Sequence, residues 1–327
     1  MKNILFKGNG KISLADFPVP ELKDGQVLVK IKSAAICGSD MKKYFADKAN
    51  PLVEGHENSG VVEDTKAAKW KKGDKVILYA LSGCGTCEYC RTGNRMYCRK
   101  LGYVVGGFGE YVAVNSEDCL QLPECMSYDA GSVFCDCIAL PFHTFKRLNV
   151  ISGQYCLILG LGPVGLGMVT VGKALNLKLI SADINDYRRK MAENLGSDWV
   201  FDPSHSDFEE RLAEITKGKG VDIAIDCAGK EKTQIACMKL CGCGGSVGIV
   251  AGNISLSINP NELLLAKELR VTGNWYFNFH EYDNILKFIH GTVNPEMLIT
   301  HKFPLEKADE AFKLFASGNC GKVVFNP

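Results

Sequence analysis

The stretch from Cys156 to Asp183 restricts what this chain can fold into more than any other. It reads Cys156-Leu-Ile-Leu-Gly-Leu-Gly-Pro-Val-Gly-Leu-Gly and runs on to Leu-Ile-Ser-Ala-Asp183. An apolar run of strand length enters a turn with Gly160, Gly162 and Gly165 in G-x-G-x-x-G spacing, a helical segment follows, and a second apolar run ends on an acid. That order predicts one β-α-β unit. Its glycines permit a tight turn, the approach of backbone N–H groups to a pyrophosphate, and close packing of helix on strand, with the phosphates at the helix N-terminus. Gly160, Gly162, Pro163, Val164 and Gly165 are therefore the candidate cofactor contacts.

Asp183 refines this reading. A carboxylate at the end of the second strand can accept hydrogen bonds from the adenosine ribose hydroxyls and would repel a 2′-phosphate, which favours NAD over NADP. Arg188 and Arg189 follow closely, and an arginine near this position can accommodate that phosphate. Both are expected on the next helix, as solvated charges or stacked against the adenine, and Arg188 joins the candidate cofactor contacts.

At 327 residues the chain exceeds what one such α/β unit needs, so two domains are expected. A formal charge of +1 offers no electrostatic argument for nucleic acid or an anionic membrane. Neither a secretory leader nor an apolar run of membrane-spanning length is read, and the expected location is the cytoplasm. Fifteen cysteines would be odd as a disulfide framework there, so metal ligation is expected for some. Cys156, Cys227 and Cys237 read as small core residues, and Cys241 and Cys243, a C-x-C before a strand, as packing residues.

Residues 1 to 140 read as β-rich, with strands at Ile12-Ser-Leu, Gln26-Val-Leu-Val-Lys-Ile, Gly60-Val-Val-Glu and Lys75-Val-Ile-Leu punctuated by proline and glycine. Within them, Cys84, Cys87, Cys90 and Cys98 stand in C-x2-C-x2-C-x7-C spacing, in a polar lobe at 83-100 with Gly83, Gly85 and Gly93. Four thiolates close a tetrahedron and leave no position for substrate, so a zinc held there is structural. Arg91, Arg95, Arg99 and Lys100 are too few to make the lobe a nucleic-acid stripe.

Cys37-Gly-Ser-Asp40, Pro51-Leu-Val-Glu-Gly-His56-Glu57-Asn-Ser-Gly60 and Gly106-Gly-Phe-Gly-Glu-Tyr111, together with the glycine loop, resemble the zinc-containing medium-chain dehydrogenase/reductase superfamily, the alcohol and polyol dehydrogenases. The resemblance spans nearly the whole chain. It implies an α/β protein with a doubly wound parallel-sheet (Rossmann) nucleotide domain at 141-276 and a β-rich, GroES-like catalytic domain formed by 1-140 and a return at 277-327. It also implies two zinc ions per chain. Cys37 and His56 would bind the catalytic one, with Glu57 a fourth or exchanging ligand. The third ligand falls in Phe134-Cys-Asp136-Cys-Ile. Alignment on the polyol branch selects Asp136, while Cys135 and Cys137 flank it and a one-residue shift would substitute the thiolate of the ethanol-type branch. His143 is expected to pack or to sit behind the ligands.

An alcohol at an open metal position loses its proton more readily, and hydride then passes to the nicotinamide. Ser39 is the candidate to accept a hydrogen bond from the substrate hydroxyl and pass the proton on, the role the resemblance gives a Ser or Thr there, and Asp40 to orient His56 through its other ring nitrogen. Many relatives carry a histidine five residues after the cysteine, where this chain has Lys42, read as a surface charge. The active site is expected near the carboxyl ends of the parallel strands. The implied substrate is a secondary alcohol of a polyol, sugar alcohol or cyclitol, with galactitol-phosphate dehydrogenases the nearest resemblance. L-Threonine 3-dehydrogenase and butanediol-type secondary-alcohol enzymes share most of the motifs. A sugar phosphate would call for basic residues such as Lys42, Lys43 or Arg95. A non-catalytic cofactor-binding regulator is the reading from another class. The implied partners are the small alcohol or ketone and further copies of the chain in a homodimer or homotetramer, with no nucleic acid or membrane.

Overall fold

The computed structural model describes residues 1–252 and 255–327. Two compact units emerge, one of Met1–Cys135, Phe277–Phe288 and Asn294–Pro327, the other of Asp136–Tyr276 and Ile289–Val293.

The first unit is organised by the strand Gln26–Ala35, whose alternate residues Val27, Val29 and Ile31 are fully buried. Alternation places all three on one face, and that face is the core. The strand pairs antiparallel with Glu57–Thr65 on one side and with Tyr111–Asn115 and the end of Lys322–Phe325 on the other. The seven-stranded sheet runs Ile299–Phe303, Lys322–Phe325, Gln26–Ala35, Glu57–Thr65, Lys75–Leu78, Cys119–Gln121, with Tyr111–Asn115 also on Gln26–Ala35. Phe312, from the helix Ala308–Ser317, meets Phe6 and Phe108 edge-on at 5.1 and 5.6 Å, and Phe108 meets Phe325 at 5.7 Å. Offset and edge-on packing suits the ring quadrupoles and adds to the burial of large apolar area. The C-terminal helix and strand thus complete the core begun by the N-terminal strands.

The second unit holds a six-stranded, wholly parallel sheet. In space the strands run Trp199–Phe201, Lys178–Ala182, Tyr155–Leu159, Val221–Asp226, Cys241–Ile249, Arg270–Gly273, which is third, second, first, fourth, fifth, sixth in chain order. Right-handed crossovers in that order wind helices onto both faces, so the central strands read as continuous apolar runs. Cys156, Leu157 and Ile158 are indeed at 0% exposure. Cys156 and Cys237 are core residues as expected, and Cys227 is half-buried. The expectation for Cys243 needs correction. Cys241 is buried but Cys243 is exposed, because the strand enters through Gly242, Gly244 and Gly245 with an irregular register before regular pairing starts at Ser246. His143 packs at 2% exposure within the helix Leu140–Leu148. Among the described residues, no helix is long and apolar enough to cross a membrane.

Candidate active site and metal centres

The four-cysteine lobe grows out of a short antiparallel pair, Leu81–Ser82 with Gly102–Tyr103. Sγ separations are 3.5 Å for Cys87–Cys90, 3.8 Å for Cys87–Cys98 and 4.0 Å for Cys84–Cys90. A tetrahedron with Zn–S bonds of about 2.3 Å has edges of about 3.8 Å, so the donors fit zinc. The lobe builds this geometry from its backbone. Gly85 and Gly93 take positive φ, and a Cβ on Gly83 would lie 2.6 Å from the Cys90 sulfur. The Thr86 hydroxyl, helped by the backbone N–H groups of Thr86 and Cys87, holds the Cys84 thiol down at about 5, while burial pushes Cys90 up to about 12. A divalent cation would deprotonate the set together.

Arg95 faces inward. Its guanidinium lies 3.1 Å from Asp118 Oδ1 and 4.0 Å from the centroid of the Phe279 ring, so it pins the lobe to the unit. Chelating a metal from this lobe should speed tryptic cleavage at the exposed Arg91, Arg99 and Lys100 by at least about tenfold, since little apolar area replaces the lost ligation. Equal cleavage rates with and without chelator would remove the structural role.

A second cluster gathers residues far apart in sequence. One donor atom each from Cys37, His56, Glu57 and Asp136 all lie within 4.8 Å of one another. Cys37 follows the strand Gln26–Ala35, and its N–H donates to Asp40 Oδ2 at 2.8 Å. The other Asp40 oxygen stands 3.7 Å from His56 Nδ1, an ion-pair separation rather than a hydrogen bond. Burial pushes the Asp40 carboxyl up, against the pull of His56, the Cys37 N–H and Lys322. Ser39 opens the helix Asp40–Tyr44 without capping it, and is exposed. Lys42 is exposed as well, in line with its reading as a surface charge.

Glu57 begins the strand Glu57–Thr65 at 1% exposure. Its Oε1 accepts from Lys322 Nζ, which also donates to Ile36 O at 3.2 Å. The two side chains of this ion pair are 1% and 0% exposed. Glu57 therefore divides its charge between the cluster and a lysine at the head of the strand Lys322–Phe325. A cation before Val-Val-Phe carries no local signal of the carboxylate it will meet.

Asp136 lies in a π-helical turn, Cys135–Ala139, inserted between the helices Tyr128–Phe134 and Leu140–Leu148. Such turns carry an extra residue and recur at functional positions. Among the described residues the turn brings Asp136 to the cluster, and neither neighbouring cysteine joins it. Cys135 and Cys137 are buried, the Cys135 sulfur 3.9 Å from Leu78 O.

The glycine loop shows why side chains are excluded from it. Gly160 sits at φ +93 with Ala228 N 2.7 Å from where a Cβ would be, and a Cβ on Gly165 would lie 1.9 Å from Gly160 O. Gly162 precedes the helix Pro163–Ala174, which has no side-chain cap, so its first N–H groups await an acceptor. Asp183, 7% exposed, accepts from Leu161 N at 2.6 Å and from Asn185 N at 2.8 Å. It thereby ties the end of the second strand to the loop. Arg188 Nη1 stands 3.9 Å from Asp183 Oδ2, and Arg188 Nε is buried without a hydrogen-bond partner among the described residues. Arg189 instead holds Asp202 at 3.0 Å and Asp183 O at 2.8 Å. An uncapped helix N-terminus, a buried carboxylate and an orphaned guanidinium nitrogen together suit a dinucleotide.

Comparison with known proteins agrees with this architecture. The family model for the alcohol dehydrogenase GroES-like domain matches residues 23–124, and that for zinc-binding dehydrogenase matches 163–291. An uncharacterized zinc-type alcohol dehydrogenase-like protein of Escherichia coli K12 is 31% identical over 98% of this chain and 96% of its own length. L-Threonine 3-dehydrogenase of Bacillus velezensis is 30% identical over 96% and 95%. L-Idonate 5-dehydrogenase of Vitis vinifera is 29% identical over 96% and 92%. Among solved structures, an Escherichia coli CFT073 alcohol dehydrogenase complexed with NADH superposes with a TM-score of 0.89 at 28% identity, covering 100% of this chain and 99% of that one. A Sinorhizobium meliloti 1021 protein solved bound to NADP gives 0.89 at 27%, with coverage of 100% and 99%. Galactitol-1-phosphate dehydrogenase from Escherichia coli gives 0.89 at 25%, with full coverage of both. The fold of this chain is thus a GroES-like domain with a Rossmann domain. The chain belongs to the zinc-containing medium-chain dehydrogenase/reductase superfamily.

Proposed function

We propose that this chain oxidises a secondary alcohol of a polyol, sugar alcohol or cyclitol, with hydride transferred to NAD and a zinc ion at the cluster of Cys37, His56, Glu57 and Asp136. The convergence of those four donors within 4.8 Å carries the reading. A divalent cation held by these four residues, with one position open to substrate, would supply Lewis acidity toward an alcohol hydroxyl, and a bound nicotinamide dinucleotide would supply the hydride acceptor. Ser39, exposed two residues after Cys37, accepts a hydrogen bond from the substrate hydroxyl and passes the proton on toward solvent. Asp40 sets the ring orientation of His56 through Nδ1, and its hold on the Cys37 N–H fixes the turn that presents the thiol. Gly160, Gly162, Pro163, Val164 and Gly165 cradle the pyrophosphate, Asp183 accepts from the adenosine ribose, and Arg188 lies beside the adenosine. Cys84, Cys87, Cys90 and Cys98 hold a second, structural zinc. We further assign a cytoplasmic location, where thiols stay reduced, and a homodimer or homotetramer.

L-Threonine is the second reading, favoured by a relative of that activity at 30% identity. Of the basic residues that a sugar phosphate could use, Arg95 is bound to Asp118 and Lys43 to Glu54, while Lys42 is exposed. The intact donor set speaks against a non-catalytic regulator. NADH formation with a panel of polyols and their phosphates, threonine and simple secondary alcohols separates these possibilities. No turnover with any of them, while metal and cofactor stay bound, would favour the regulator.

The choice of NAD has its own test. Asp183→Ser should weaken NADH binding about 10- to 100-fold, the loss expected for hydrogen bonds to a charged group, and should narrow the gap to NADPH. Fluorescence titration with both dinucleotides reads this. Unchanged affinity for both would take Asp183 out of the ribose site.

A further inference from the structure

Two residues before His56 stands a carboxylate that nothing in the cluster requires. Glu54 is 3% exposed, yet it is ionisable, and an apolar side chain would be the cheaper occupant of such a position. It is held from two directions. Lys43 Nζ donates to Glu54 Oε2 at 2.6 Å, and the Asn50 amide donates to Oε1. The Lys43 side chain is 50% exposed, and a pair open to solvent at one end adds little net stability; what it supplies here is direction.

The direction here is specific. Lys43 lies one turn after Asp40 on the short helix Asp40–Tyr44, and Asp40 faces His56 Nδ1 at 3.7 Å. The same helix therefore reaches the same segment twice, through Asp40 to His56 and through Lys43 to Glu54. Below them the segment is rigid. Glu54 O accepts from Phe108 N at 2.9 Å, and Gly55, at φ +92, has no room for a Cβ against the Phe108 ring. Asn50 closes the arrangement from the middle of the loop that joins Cys37 to His56.

We propose that Lys43, Asn50 and Glu54 form a clamp that closes the loop between Cys37 and His56 in advance of the metal, making Glu54 a positioning residue for the catalytic centre. Without such a clamp, the entropy of closing that loop falls on metal binding itself. With it, sulfur and imidazole already stand at ligand spacing, and metal release requires the clamp to open. This rests on the reading of the Cys37–His56–Glu57–Asp136 cluster as a metal centre.

The test is zinc release from purified, zinc-loaded protein into excess chelator, comparing wild type with Lys43→Met, Glu54→Gln and Lys43→Arg. Cys37→Ala, which should carry only the four-cysteine zinc, assigns the two release phases. The first two variants are expected to lose the second zinc about 10- to 100-fold faster, the range for partners that orient ligands, while the four-cysteine zinc leaves at its wild-type rate. Lys43→Arg keeps the charge and should restore slow release. Wild-type release from both Lys43→Met and Glu54→Gln would overturn the clamp, as would equal acceleration of both zincs or failure of Lys43→Arg to rescue. If wild type itself carries only the four-cysteine zinc, the metal-centre reading falls and the clamp with it. Two zincs with unaltered variants would sink the clamp alone.

Discussion

Asp136→Ala is expected to lower kcat/KM for alcohol oxidation by at least about 10³-fold and to remove one of two bound zinc ions. A metal acting as a Lewis acid contributes several kcal/mol, and about 4 kcal/mol corresponds to that factor. Cys135→Ala and Cys137→Ala are the controls that give the result meaning. Both thiols are buried, with Cys135 directed to Leu78 O, and neither joins the cluster. Each should therefore keep both metals and lose stability only as a small core truncation does, on the order of 1 kcal/mol. Metal content and initial rates, measured on the three variants side by side, decide the matter. Retention of the second metal in Asp136→Ala, with its loss in either cysteine variant, would transfer the ligand role to that neighbour.

Lys322→Met should cost about 3–5 kcal/mol, the penalty for stranding one member of a buried ion pair. The ammonium is fully enclosed, and its removal would leave Glu57 without its cation and Ile36 O without its donor. At roughly 2–4 °C per kcal/mol for a unit of this size, the midpoint of thermal unfolding should fall by on the order of 10 °C. Lys322→Met combined with Glu57→Leu should recover most of the loss, since removing both charges leaves neither uncompensated. A double variant as unstable as the single would mean that lost packing of the lysine stem, rather than a stranded carboxylate, sets the cost.

The features that could be read in advance share one property: they are local. The G-x-G-x-x-G loop, the four-cysteine spacing and the buried runs Tyr155–Leu159 and Lys178–Ala182 each encode their geometry within a few residues. Tight turns need glycine where a Cβ would strike backbone, and a metal loop needs its ligands at fixed intervals, so spacing alone carries the information. The strands Gln26–Ala35 and Lys75–Leu78 are legible for the same reason, through their apolar pattern.

What could not be read depends on partners distant along the chain or on a break in periodicity. A π turn adds one residue to a helix, so counting by ordinary helical steps cannot say whether Asp136 or a flanking cysteine meets Cys37 and His56. Cys243 looked like core until the irregular start of its strand left it in solvent. Lys322 and Lys43 are unremarkable lysines in sequence; only the folded chain turns one into the partner of Glu57 and the other into the tether of Glu54. The amino-acid order by itself thus determined the glycine loop, the four-cysteine loop, the parallel sheet and the family, because short-range sterics and hydrophobic period suffice for them. Tertiary structure alone decided between Asp136 and its flanking cysteines and which cations restrain the cluster, because partners distant along the chain are selected by position in space and leave no trace in spacing.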